Sequence, residues 1–203
     1  MDKEIIIELI KVAPSILLYL AVLVLFLRYR KSVVEGILPK ISNFKAFGIE
    51  ASFVKEGIEN AARTQNRTDV VVSPSLMKRI AHFPKRPIRV LWIDDNPETV
   101  MYEAGILQTL GMQVEFAKTS ANGWEKLRGY PFQLMVSDIR RGDDATAGLQ
   151  FLQDLQAQQK HINVVFYVSQ LDRTLPIPIG AFGITDDPNE LIHLMMDGAD
   201  RIE

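Results

Sequence analysis

The chain has 203 residues, with 25 acidic and 23 basic side chains, a net charge of -2 and no cysteine. That length holds one domain of roughly 100 to 150 residues plus attachments. The missing cysteine excludes disulfides, thiolate catalysis and zinc-thiolate sites, and suits a reducing compartment. The charge is divided: residues 1–87 carry 14 basic and 8 acidic side chains (+6), residues 88–203 carry 9 and 17 (-8). An acidic C-terminal part argues against nucleic-acid binding there, since affinity for phosphate backbones comes largely from Lys and Arg. His82, His161 and His193 lie far apart without ligand-type spacing and are assigned no metal.

In chain order, residues 1–31 come first. Val12 to Leu27 is almost wholly apolar, and Ile5 to Ile10 extends it past Glu8 and Lys11. A helix from Val12 would span about 24 Å and one from Ile5 about 34 Å, so only the longer one crosses a hydrocarbon core of about 30 Å. A signal peptide would begin with basic residues and end at a small-residue cleavage site, but here Asp2, Lys3 and Glu4 come first and Arg28-Tyr29-Arg30-Lys31 follows. A buried core helix is the other alternative. The hydropathy and flanks predict a single-pass membrane anchor, N-terminus outside, with everything after Arg28 cytoplasmic.

Residues 32–87 form a juxtamembrane segment. Ser32 to Leu38 could prolong the first helix as far as Pro39. The alternating aromatic stretch Phe44 to Phe53, with Gly48 at its centre, predicts a small hairpin or two short strands, too small to be stable alone. Such a piece would pack on the membrane, on a second copy of itself or on the main domain. Lys55 to Arg63 has helical composition, Thr64 to Asp69 is linker-like, and Ser73-Pro74 offers an N-cap with Pro at the first helical position for Ser75 to His82. Lys78, Arg79, Lys85 and Arg86 make the stretch basic, which predicts attraction to anionic membrane lipid or merely a solvated linker.

Residues 88–203 form the main domain. Short apolar runs at Arg89–Ile93, Gln113–Ala117, Leu134–Ser137, Val164–Val168 and, more weakly, Ala181–Ile184 read as strands. Thr99–Leu110, Ala121–Leu127, Ala147–Gln158 and Pro188–Asp197 read as helices. Strict alternation of strand and helix with short connections predicts an α/β fold, a doubly wound five-stranded parallel sheet of the flavodoxin-like kind. Trp92 and Trp124 are expected in packing roles, and Met195-Met196 as ordinary helix filling.

Ligands in such sheets sit outside the carboxyl ends of the strands. There the first strand stops at Asp94-Asp95, the third at Ser137-Asp138 and the fourth at Ser169. Three carboxylates at neighbouring strand ends suit Mg²⁺, because the ion offsets the repulsion that clustered anions suffer.

In its ordered motifs the stretch from about 88 to 198 resembles the response-regulator receiver domain. The motifs are Val90 to Pro97, Gly111-Met112-Gln113-Val114 with Ala117 and Ala121, Leu134 to Asp138, Gly148 with Leu149 and Leu152, Val165 to Ser169, and Gly180-Ala181 with Pro188. The resemblance implies that Asp138 is the residue a histidine kinase phosphorylates. It further implies that Asp94 and Asp95 hold Mg²⁺ with the backbone carbonyl of Arg140, and that Ser169 contacts the phosphoryl group.

The chain also departs from that family. A gapless count from Gly180-Ala181 puts Asp187 where receivers carry a phosphoryl-pairing lysine and Ile184 where they carry a reporter aromatic. The loop after Asp138 is two residues longer before its glycine, and Arg140 or Arg141 is the candidate replacement charge.

The leading expectation is a membrane-tethered, receiver-like signalling module with an acidic Mg²⁺ site and atypical or lost phosphorylation. It is expected not to be a turnover enzyme, and with no output domain after residue 203 its output is expected to come from another polypeptide or from the membrane. A second reading, by likeness of shape to TIR domains, is nucleotide or NAD binding or cleavage with Glu98 or Glu103 as acid. A third is a homo-oligomeric membrane assembly subunit.

Overall fold

The computed structural model describes residues 38–67 and 70–202, with side chains from Glu50 onward. It divides after Gly48 into two units, and the second, Ile49–Glu203, holds the sheet. Of the first unit, the described residues are the opening turns of helix α1, Leu38–Thr64. The predicted membrane span and its basic flank lie outside the described residues. Among the described residues no helix is long and apolar enough to cross a membrane.

Helix α1 overturns the predicted hairpin: Phe44 to Phe53 is helical throughout. The local alternation loses to packing further along, where Val54, Ile58, Ala61 and Ala62 recur at helical spacing and are all buried. Gly57 lets this face approach closely, since a Cβ there would stand 2.9 Å from Ile106 Cγ1. Helix α2, Pro74–His82, starts as predicted: Ser73 Oγ accepts from Leu76 N and Pro74 opens the first turn. Basic residues in and just after it are tied to the rest of the domain. Arg79 pairs with Asp197 (2.7 Å) and Asp200 (2.9 Å), Lys85 with Glu50 (2.6 Å), and Arg86 donates to Ala199 O (3.1 Å). Three of the four basic side chains of this stretch thus have partners within the protein.

The sheet comprises β1 (Ile88–Ile93), β2 (Met112–Ala117), β3 (Leu134–Ser137), β4 (Asn163–Tyr167) and β5 (Gly183–Thr185). All strands are parallel, in the order β2-β1-β3-β4-β5, as predicted for a doubly wound sheet. Strand β1 is flanked on both sides, and every residue in it but Arg89 is buried. After a 3-10 turn at Pro97–Val100 come α3 (Met101–Thr109), α4 (Ser120–Gly129), α5 (Ala147–Ala157) and α6 (Pro188–Asp200).

Alternating strand residues build two cores. Val90, Trp92, Val136, Val165 and Tyr167 pack with apolar residues of α1, α2, α3 and α6, Met195 and Met196 among them. Leu91, Ile93, Met135, Val164 and Phe166 pack with α4 and α5, where Trp124 lies 4.8 Å from Phe151. The first core shows why residues 49–83 belong to this unit: Val54, Ile58, Leu76, Ile80 and Phe83 are part of it.

Strict alternation fails once. Residues 168–182, between β4 and β5, form no helix. Pro176 and Pro178 forbid helical hydrogen bonding and bias the residues before them toward extended backbone, and Asp172 Oδ1 ties back to Thr174 N in a local turn.

Candidate functional site

Register sets the site. Ile93 of β1 pairs with both Ala117 and Ser137, so the carboxyl ends of β1 and β3 lie level. Asp138 N donates to Ile93 O and Asp94 N to Ala117 O, each at 3.0 Å, which carries the ladder one residue past the strands. The acids that follow therefore emerge side by side. Asp94, Asp95, Asp138, Arg140 and Ser169 line one cleft of about 360 Å³, together with Tyr167 and the residues Thr64, Gln65 and Asn66 that close α1.

The carboxylates of the cleft are crowded. Burial, reinforced by the charge of Asp94, pushes the Asp138 carboxyl up to about 6. Burial also raises Asp94, against the opposing hydrogen bond from Asn96 N to its Oδ1 at 2.8 Å. Asp95 is exposed, and its Oδ2 accepts from Gly142 N at 2.8 Å. With two carboxylates turned toward backbone amides, no group of three His, Asp or Glu side chains among the described residues is arranged to hold a metal ion.

Of the two candidate cations, Arg140 is exposed and Arg141 is 7 % exposed. Arg141 Nη1 donates to Ser137 Oγ (2.8 Å) and to Asp138 O (3.1 Å), Nη2 donates to Ser120 Oγ (2.9 Å), and Nε is buried without a partner. Its positive charge lies below the carboxyl end of β3, attracted to Asp138. It braces β3 against α4 and is not among the residues that line the cleft.

Asp187 does not point into the cleft. It is the N-cap of α6: its Oδ1 accepts from Asn189 N at 2.7 Å, and Oδ2 lies 3.9 Å from Arg67 Nη2. Arg67 also donates to Asp186 O at 2.7 Å. The repulsion that an inward-facing Asp187 would exert on Asp138 is thereby avoided. Ile184 lines a neighbouring apolar hollow of about 600 Å³ with Leu149, Leu171, Leu175, Pro176 and Pro178. That hollow lies where β4 and β5 lack a connecting helix.

Glu98 and Glu103 part company. Glu98 is exposed, 3.6 Å from Lys118. Glu103, the other candidate acid, is fully buried; Tyr167 OH donates to its Oε1 at 2.8 Å, and burial raises its carboxyl. Gln65 Nε2 in turn donates to Tyr167 OH at 2.6 Å. Sequence reasoning missed the parts of Gln65 and Tyr167, which are 102 residues apart. A glutamate within an apolar helical pattern was the one available signal.

The family model of the response regulator receiver domain matches residues 90–196. No curated protein matches the chain. Solved structures do. A two-component response regulator from Clostridium difficile is 14% identical, with a TM-score of 0.50, over 57% of this chain and 98% of that one. A CheY-like receiver domain protein from Methanospirillum hungatei is 21% identical (TM-score 0.49, 57% and 95%). The chemotaxis response regulator CheY4 of Vibrio cholerae is 20% identical (TM-score 0.47, 56% and 99%). The parallel five-stranded sheet, the level strand ends and a family match that covers more than half of the residues agree: the chain belongs to the response regulator receiver domain family.

Proposed function

We propose that this chain is a membrane-tethered receiver module whose acid cleft takes Mg²⁺ but accumulates little or no phosphate on Asp138. The observation that carries the second half of this reading is the use of Asp187. The residue at the family's lysine position caps a helix and is paired with Arg67, so no side chain from the end of β5 offers a charge to a phosphoryl group on Asp138.

Mg²⁺ suits the donor set. Asp94, Asp95 and Asp138 are hard oxygen donors lining one cleft, and burial together with the neighbouring charge of Asp94 disfavours the ionised form of Asp138, which a cation there would favour. With the Arg140 carbonyl they would hold the ion, and Asp95 would exchange the Gly142 amide for it. Bound there, the ion would neutralise transferring oxygens, the main requirement of phosphoryl transfer. Asp138 is the acceptor carboxylate and Ser169 the hydroxyl beside it. The tether rests on the apolar run Ile5–Leu27 and its basic flank. A histidine kinase or another signalling protein is the partner to be expected in trans. The TIR-like reading is not favoured, since Glu98 is ion-paired at the surface and Glu103 is enclosed.

The test uses the full chain in detergent micelles with Mg²⁺ and acetyl phosphate, followed by intact-mass measurement and a thermal melt. Expected is a Mg²⁺-dependent rise in melting temperature, lost in Asp138→Asn, without a phosphorylated species. A stoichiometric mass increase on Asp138 would restore ordinary phosphorylation, and no Mg²⁺ response would remove the cation site.

A further inference from the structure

The acid cleft has a wall that the receiver-matched stretch does not supply. Thr64, Gln65 and Asn66 come from the end of α1, more than twenty residues before the family match begins at residue 90. Three features fix them there. The face of α1 that carries Val54, Ile58 and Ala61 is fully buried against the domain. Gln65 Nε2 donates to Tyr167 OH, which passes a hydrogen bond to the enclosed Glu103. Asn66 adopts a left-handed φ of 56°, which asparagine tolerates, and turns the chain so that Arg67 reaches Asp186 and Asp187.

This wall is incomplete. Gln65 Oε1 is a buried acceptor without a donor, although the side chain borders a cleft lined by three carboxylates. A buried acceptor left unpaired is unfavourable, and gaining a donor favours whatever state supplies it. With three carboxylates and the Arg140 carbonyl on an octahedral Mg²⁺, two positions are left for water, and such waters are strong donors. We infer that the end of α1, through Gln65, is a constituent of the cation site, so that filling the cleft and seating α1 on the domain reinforce each other. The inference deepens the proposed function and rests on its cation site. Linkage then requires reciprocity: if Mg²⁺ tightens α1, the seated α1 must tighten Mg²⁺ by the same factor. A helix leading toward the predicted membrane span thereby senses occupancy of the cleft.

The experiment measures Mg²⁺ affinity by calorimetry and amide exchange of residues 49–67, with and without Mg²⁺, on the full chain in micelles. Wild type is compared with Gln65→Ala and with Tyr167→Phe, which leaves the ring in place and removes the hydroxyl that orients Gln65. Expected are several-fold slower exchange of residues 49–67 with Mg²⁺, and an affinity lowered about tenfold in both variants, within the usual range of coupling between sites. In the variants Mg²⁺ no longer slows that exchange, while exchange in β1 and β3 stays as in wild type. Equal Mg²⁺ affinity in all three proteins, or exchange in 49–67 indifferent to Mg²⁺, would overturn the inference and leave the cation site standing. Absence of binding to wild type would overturn both.

Discussion

Gln65 and Tyr167 are joined by a 2.6 Å hydrogen bond across 102 residues of sequence, and Tyr167 passes a second one, of 2.8 Å, to the enclosed Glu103. The end of one helix, the end of an interior strand and the inner face of another helix thus meet through three polar groups behind the acid cleft. The chain is satisfied along its length but not at its ends, where Gln65 Oε1 and Glu103 Oε2 are buried without a partner, and truncating one member strands the others.

Replacing Glu103 tests that chain directly. Glu103→Gln keeps an acceptor for Tyr167 OH and removes a carboxyl whose ionisation burial already opposes, so melts at neutral pH should show a change within about 1 kcal/mol. Glu103→Ala opens a cavity and strands the hydroxyl, and should lose about 3 kcal/mol in urea titration. Equal losses in the two variants would mean that the hydrogen bond contributes nothing.

Asp138 sets a pH dependence. Its carboxyl is raised from 3.8 to about 6, so between those values the folded state holds a proton that the unfolded state has released. Stability without Mg²⁺ should therefore fall as pH rises from about 4 to about 6 and level off above that. Asp138→Asn should flatten the slope and stabilise the metal-free protein at pH 7 by about 1 kcal/mol, a figure reduced for the partial solvent contact of the site. Thermal melts across this range read both effects.

Gly148 abuts the same strand end. A Cβ there would stand 2.4 Å from Asp138 O and 2.8 Å from Ile139 Cα, both backbone atoms that cannot swing aside. Gly148→Ala should cost about 1 to 3 kcal/mol through overpacking and weaken Mg²⁺ binding by displacing the loop that carries Arg140. Calorimetry and denaturant unfolding on one sample separate the two losses.

Restoring the family residue at position 187 is informative in the other direction. Asp187→Lys removes the cap that accepts from Asn189 N, at a cost of about 1 kcal/mol. It also brings a cation near the end of β5. With acetyl phosphate and Mg²⁺, Asp138 should then become phosphorylated in intact-mass spectra although the protein melts earlier.

Much of the domain could be read from the sequence because its strands are buried apolar runs with polar ends. Leu134–Ser137 was predicted to the residue, and β1, β2 and β4 to within one at each end. Asp94, Asp95, Asp138, Arg140 and Ser169 do line one cleft, because parallel register levels the strand ends. What failed depends on distant partners. Phe44 to Phe53 alternates like a strand, but burial of Val54 and Ile58 on the sheet domain decides for helix. The part played by Gln65 has no local signature, since only the fold brings Tyr167 to it. Asp187 stands out in the sequence only by a gapless count, and its employment as a cap required the start of α6 to be placed.

The helix-free connection from β4 to β5 has a mechanical consequence. Strand β5 is three residues long, lies at the sheet margin and is hydrogen-bonded to β4 alone, while Ile177 and Ile179 stand exposed in the loop before it. Segments held by few hydrogen bonds open at a small free-energy cost and exchange their amides early. The margin two strands from Asp138 is therefore held on one side only, and an unpaired strand edge is also a template onto which another backbone can add.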